Sequence, residues 1–169
     1  MDTKAIIDEA VKVLRDGGVI LYPTDTVWGI GCDATNEKAV AKVFQIKRRS
    51  EAKSLVLLAS DLDMVAKYIK VIPSIAIDLV EVNDAPMTII YPGAQYLAPS
   101  AVAEDGSVGI RIPCVETGEE AADNGGGAFC RELVRRLRKP LVSTSANISG
   151  EPAPQCFDEV SEEIRGAID

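Results

Sequence analysis

The chain has 169 residues, 47% of them apolar, which suits one domain with its own core, and no apolar run approaches the ~18 residues of a bilayer span. Its net charge of −8 argues against generalised nucleic-acid binding, because phosphate backbones call for a basic surface. Four scattered cysteines with no C-x-x-C pair give poor support for a zinc site, and the lack of histidine removes Ser-His-Asp and Cys-His catalysis in their usual forms.

Any chemistry must therefore run on positioning and charge stabilisation, or on a group that the substrate brings. Cys32, Cys114, Cys130 and Cys156 read as buried free thiols. Met1-Asp2-Thr3-Lys4 opens straight into an amphipathic pattern without a signal-peptide layout, so a soluble cytoplasmic protein is expected.

Ile6, Ile7, Ala10, Val11 and Leu14 recur at helical spacing, which predicts a helix over residues 3–16 that stops at Asp16-Gly17-Gly18. Val19 to Tyr22 is a short β-branched run, hence a buried strand. Pro23 to Thr26 is turn-forming, and Trp28 to Asp33 continues as a glycine-interrupted strand or bend. Asn36 can cap a helix carrying Val40, Val43, Phe44 and Ile46, which delivers Lys47-Arg48-Arg49 at its C-terminal end.

Ser54 to Ala59 is an apolar strand, and Ser60 with Asp63 resembles a capping box for a helix to about Ile69. Pro73 suits the first turn of a helix to about Val82. Strands follow at Met87–Tyr91 and Ser107–Ile112, separated by a loop over 94–106. Residues 116–127 form an acidic, then glycine-rich connection, before a helix from Phe129 to about Arg138. Pro140 to Thr144 is a strand running into Ser145-Ala146-Asn147-Ile148-Ser149-Gly150, and Phe157, Val160, Ile164 and Ile168 mark a final helix. Strands and helices mix without strict alternation, so the expectation is a single α/β domain over 1–169 with a mixed sheet.

Three segments could carry chemistry. In Tyr22 to Gly31 a buried strand ends in Thr24, Asp25 and Thr26, with Trp28 as an apolar wall and glycines that allow close backbone approach; an ordinary β-turn is the competing reading. In Lys47-Arg48-Arg49 with Lys53, the alternate cations Lys47 and Arg49 could grip a polyphosphate, with arginine as a fork and lysine as a point charge. Helix-dipole complementarity or a solvated loop would explain the same cations, and no Walker-type loop is present. Ser143 to Gly150 offers four hydroxyls and one amide after a buried strand, either a ligand-binding loop at a sheet end or a Ser/Thr turn. Arg111, in the apolar run Val108 to Pro113, either reaches into a cleft toward a carboxylate or faces solvent, and strand alternation alone leans to solvent.

Together, Pro23-Thr-Asp-Thr-Val-Trp-Gly-Ile-Gly31, Lys47-Arg-Arg49, Val108-Gly-Ile-Arg-Ile-Pro113 and Ser143-Thr-Ser-Ala-Asn-Ile-Ser-Gly150 resemble, in that order, the Sua5/YrdC/YciO family of threonylcarbamoyl-AMP synthases. The short YrdC-like type is the closer match. The resemblance implies a twisted mixed sheet with flanking helices around a deep cavity, and a tetrad matched by Lys47, Arg49, Ser145 and Asn147. It implies ATP against Lys47, Arg49, Ser143, Ser145 and Asn147, and threonine against Thr24, Thr26, Trp28 and Arg111. The implied reaction joins L-threonine, bicarbonate and ATP, with Mg²⁺ accompanying the ATP, into threonylcarbamoyl-AMP and pyrophosphate. A separate transferase would use that product on tRNA adenosine; an RNA contact is left open and no membrane is involved. A non-catalytic YciO-like nucleotide- or RNA-binding protein is the alternative. Arg48 and Ser50 depart from the usual Lys-Gly-Arg-Pro pattern, and Asp84 to Thr88 is a reduced form of the usual Trp-Pro-Gly-Pro-Thr.

Overall fold

The computed structural model describes residues 3–23, 28–47, 55–82, 87–103, 105–113 and 126–146, together with 158, 160, 162 and 166. The first helix, α1 (Thr3–Arg15), buries Ile7, Val11 and Leu14 along one stripe. It ends as its glycines require: Gly17 takes φ +86°, its N–H donates to the Leu14 carbonyl, and Gly18 N–H reaches the Val13 carbonyl.

Among the described residues five more helical and six extended segments are delimited: β1 (Ile20–Pro23), β2 (Trp28–Asp33), α2 (Glu37–Lys47), β3 (Val56–Leu58), α3 (Leu62–Tyr68), α4 (Ser74–Val82), β4 (Thr88–Tyr91), a 3₁₀ turn (Pro99–Ala101), β5 (Val108–Arg111), α5 (Gly126–Leu137) and β6 (Leu141–Ser145). The strands form one mixed sheet in the order β1-β2-β6-β3-β5-β4, with β3 and β5 parallel and the other pairs antiparallel. The α/β architecture expected from the sequence is therefore present.

The register decides what meets what. Gly29 faces Ser145, Gly31 faces Ser143, and Ser143 faces Val56 on the other side. Because side chains alternate across a strand, Tyr22, Gly29, Gly31, Ser143, Ser145, Val56, Gly109 and Arg111 share one face of the sheet. The other face carries Ile30, Cys32, Leu57, Val142 and Ile110, all buried. Apolar residues thus fill one side of the sheet centre, while glycine and serine keep the other side shallow.

Several boundaries differ from the sequence reading. The cap of α3 is Asp61, not Ser60: its Oδ1 accepts from the Met64 N–H at 2.8 Å, while the Ser60 hydroxyl lies by the Met64 sulfur. A carboxylate one place nearer the helix reaches the third amide directly. Pro73 stands just before α4, lending its carbonyl to the Ala76 and Ile77 amides. Gly126 and Gly127, read as connection, open α5. The 94–106 loop holds the 3₁₀ turn and an isolated bridge between Ile69 and Ala94. The expected final helix lies largely outside the described residues.

Candidate functional site

The site begins with a lysine where a lysine is costly. Lys47 closes α2, and its residue is only 2% exposed although it follows a helix whose polar face is in water. Sequestering an ammonium demands compensating oxygens. Two of them come from Ser145, 98 positions later: Lys47 Nζ donates to the Ser145 carbonyl at 2.7 Å and to its Oγ at 3.3 Å.

Strand β6 makes that meeting possible. Leu141 and Val142 anchor it in the core, and Ser145 is placed by pairing with Gly29. The ladder runs one step further, through the Ala146 N–H to the Trp28 carbonyl at 2.9 Å. The segment that starts at Trp28, the end of α2 and the end of β6 are thereby fixed at one place. Trp28 is half-buried and packs on the core edge.

Ser143 and Arg111 lie deeper on the same face. Ser143 is buried between Gly31 and Val56. Arg111 is buried too, so the lean toward solvent given by alternation alone is corrected: the sheet face it occupies is covered. Its backbone sits opposite Leu58, in line with Leu141 rather than with Ser145. The side chain must therefore span the sheet to approach the Ser143 region. Its charge opposes, in small part, the upward push that burial gives the Tyr22 hydroxyl.

Tyr22 was not singled out by the sequence, yet it forms much of this floor. Its ring lies over Gly31, where an added Cβ would stand 2.6 Å from Tyr22 Cε1 and 2.8 Å from the Val142 carbonyl oxygen. Burial raises the phenol pKa well above its usual value, with the Cys130 thiol adding to this and Ser143 and Arg111 opposing it. Ser143 is close enough to act on the hydroxyl, but the geometry falls short of a hydrogen bond, and the Tyr22 hydroxyl has no other partner among the described residues. A bulky aromatic facing two glycines on the adjacent strand was the available signal.

Three neighbours, Asp33, Cys32 and Cys130, are structural. The Asp33 carboxylate accepts from the Thr35 N–H and hydroxyl at 2.9 and 2.7 Å, which folds the turn after β2, and Lys139 approaches it at 3.5 Å. Cys32 and Cys130 are free and buried, and burial, followed by the Asp33 charge, pushes the Cys32 thiol up to about 12. Cys114 and Cys156 lie outside the described residues, as do Thr24, Thr26, Arg49 and Asn147 of the expected site. The structure therefore brings together Lys47 and Ser145, and sets Ser143, Trp28 and Arg111 on elements that meet there. Among the described residues no group of three or more Asp, Glu, Cys or His side chains could hold a metal ion.

The family model named for Sua5, YciO and YrdC, described as "Telomere recombination", matches residues 12–169. A protein of Stenotrophomonas maltophilia (strain K279a) named threonylcarbamoyl-AMP synthase is 32% identical over 166 residues, covering 96% of this chain and 83% of that one. Sua5 from P. abyssi crystallised with L-threonine superposes with a TM-score of 0.81 at 26% identity, over 96% of this chain and 45% of that one. A doubly substituted form of P. abyssi Sua5 gives a TM-score of 0.83 at 25% identity, over 100% of this chain and 48% of that one. The chain thus spans about half the length of these P. abyssi proteins.

Proposed function

The chain belongs to the Sua5–YciO–YrdC family, and we propose from that premise that it is a threonylcarbamoyl-AMP synthase, an adenylate-forming nucleotidyltransferase. The reading rests on one observation: a lysine from the first half of the chain is buried against the serine-rich strand end of the second half, Nζ to the Ser145 carbonyl at 2.7 Å. The name of the S. maltophilia relative and the threonine bound by P. abyssi Sua5 support the same reading.

The threonine amine takes up CO₂ from bicarbonate, with loss of water, and gives a carbamate. A carbamate oxygen then attacks the α-phosphorus of ATP, the bond to the β-phosphate oxygen breaks, and pyrophosphate leaves. The nucleophile belongs to the substrate, so a histidine-free site is adequate. The protein has to align the reactants and offset charge on the phosphates.

In this scheme Lys47 and Arg49 hold the phosphates, with Ser143, Ser145 and Asn147 supplying hydrogen bonds. Thr24, Thr26, Trp28 and Arg111 hold threonine, the guanidinium against its carboxylate. Mg²⁺ would arrive on the ATP phosphates; the described residues offer hydroxyls and cations there, not a carboxylate cage, and no step above is routed through it. The product, a mixed carbamic–phosphoric anhydride, is consumed by a tRNA-modifying transferase in the cytoplasm.

The deciding experiment incubates the protein with ATP, Mg²⁺, bicarbonate and single amino acids while pyrophosphate is followed. Release that requires both threonine and bicarbonate is expected. Release indifferent to either, or ATP binding without turnover, refutes the synthase.

A further inference from the structure

Far along the chain from Lys47, helices α1 and α5 pack side by side and leave an open hollow of about 970 Å³ between them. Six of its nine lining residues are cations: Lys4, Lys12 and Arg15 from α1, and Arg135, Arg136 and Arg138 from the end of α5. Asp8 and Asp16 oppose them in the lining and Glu132 beside it, in a chain whose net charge is −8. None of the residues assigned to the synthase site lines this hollow.

The arginines are held in place. Glu132 takes both forks, accepting from Arg135 at 2.7 and 2.9 Å and from Arg136 Nε at 2.9 Å, while Asp8 pairs with the other end of Arg136. Arg15 Nη2 donates to the Arg136 carbonyl at 3.0 Å, which sets one guanidinium beside the backbone that carries another. Among the described residues Lys12, Arg15 and Arg138 have no carboxylate within salt-bridge distance. Like charges so gathered repel unless an anion lies between them.

Helix dipoles explain why each helix tolerates cations in its last turn. They do not explain why two helix ends close on one hollow, nor the backbone of Arg138. That residue takes φ +63° at the left-handed position after α5, where its N–H caps the Val134 carbonyl. The left-handed residue that follows α1 is Gly17, which takes that conformation without strain. Arginine at this position carries a backbone cost that glycine would avoid.

We propose that the α1–α5 groove is a second anion site, which takes successive phosphate groups. The chemistry of the lining separates phosphate from an acidic protein segment. Val11 is the one apolar residue in it, and a protein partner needs a desolvated apolar anchor that Val11 alone does not give. Arginine forks and a lysine at intervals instead match a run of phosphate oxygens. The phosphates come either from a free polyphosphate or from a nucleic-acid backbone.

The test uses the full-length protein carrying Lys47→Ala, so that the synthase site is weakened as a competing phosphate binder. Inorganic triphosphate is titrated by calorimetry and a labelled 12-nucleotide RNA by anisotropy. At least one is expected to bind, and Arg15→Glu with Arg138→Glu to weaken it tenfold or more. Binding of the RNA ten times tighter than triphosphate identifies a backbone; equal or weaker binding identifies a free polyphosphate. For RNA, the slope of log K against log salt should fall by about 0.7 per cation removed.

Arg138→Gly separates ligand from fold, because it relieves the backbone while deleting the charge. Its melting temperature should hold or rise while affinity falls several-fold, and on the Lys47 background restored to wild type its adenylate formation should be unchanged. The proposal is overturned if Arg138→Gly binds as well as its parent, if neither probe depends on these residues, or if a glutamate-rich peptide outbinds both.

Discussion

Two regions of this molecule handle cations in opposite ways. At the end of α2, Lys47 is buried, and its described partners are the neutral oxygens of Ser145. At the end of α5, Arg135 keeps 66% of its side chain exposed and is tied to Glu132 by ideal forks. By energetics the first is the informative one. Exposed ion pairs contribute ~0–1 kcal/mol, whereas a buried ammonium is retained only where something outweighs the cost of removing it from water. The comparison teaches that burial, not the number of ion pairs, separates the two cations.

Exchanging the two cations for neutral side chains tests this directly. Lys47→Met, which keeps most of the volume, is expected to lower threonine-dependent pyrophosphate release by about 10²–10³-fold, the scale of removing one preorganised charge contact at a transition state. Arg135→Met should leave that rate within about twofold, since an exposed ion pair matters little. Comparable losses from both would erase the distinction. Circular dichroism keeps the reading clean, because losing an ammonium from a buried position need not unfold the chain.

The next effect is on the fold under the site. Gly31→Ala places a methyl 2.6 Å from Tyr22 Cε1 and 2.8 Å from the Val142 carbonyl, so ring and strand must both move. A loss of about 2–3 kcal/mol in urea unfolding is expected, in the range for overpacking. Gly109→Ala meets Thr88 Cγ2 at 3.2 Å and the Leu55 carbonyl oxygen at an ordinary 4.0 Å, and should cost about 1 kcal/mol or less. Tyr22→Phe deletes a buried hydroxyl that makes no hydrogen bond among the described residues, and stability should stay level or rise by about 1 kcal/mol. A clear drop would mean that Ser143 and Tyr22 bond in solution.

How much of this was legible in the sequence follows from range. Periodicity located α1, β1, β2 and α2 to within a residue or so, because each buries a regular stripe or run of its own. The candidate site was legible as four ordered motifs, but not as a place. Nothing local to Lys47 says that its ammonium ends on a carbonyl 98 positions away. Arg111 misled for the same reason: alternation tells which residues share a face, and whether that face is covered depends on elements distant in the chain. Asp61 was missed over a difference of one residue, since Ser60 and Asp61 are both good caps. Tyr22 escaped notice because its role is set by the glycines across the ladder.

The smallest expected effect belongs to the exposed region and completes the contrast. Donation from Arg135 and then Arg136 lowers the Glu132 carboxyl from 4.5 to about 2. A depressed carboxylate stabilises the fold above its unfolded pKa, and that contribution fades as pH falls from about 4.5 through 2. The pair stands in water and is screened, so Glu132→Gln should cost only about 0.5 kcal/mol at pH 7. The variant and the parent should converge in urea midpoint near pH 2, and at high salt they should converge at any pH. A salt-insensitive loss of several kcal/mol would show that the α1–α5 seam is sealed from solvent. Arg136, which Asp8 shares with Glu132, would then be the buried charge that holds it.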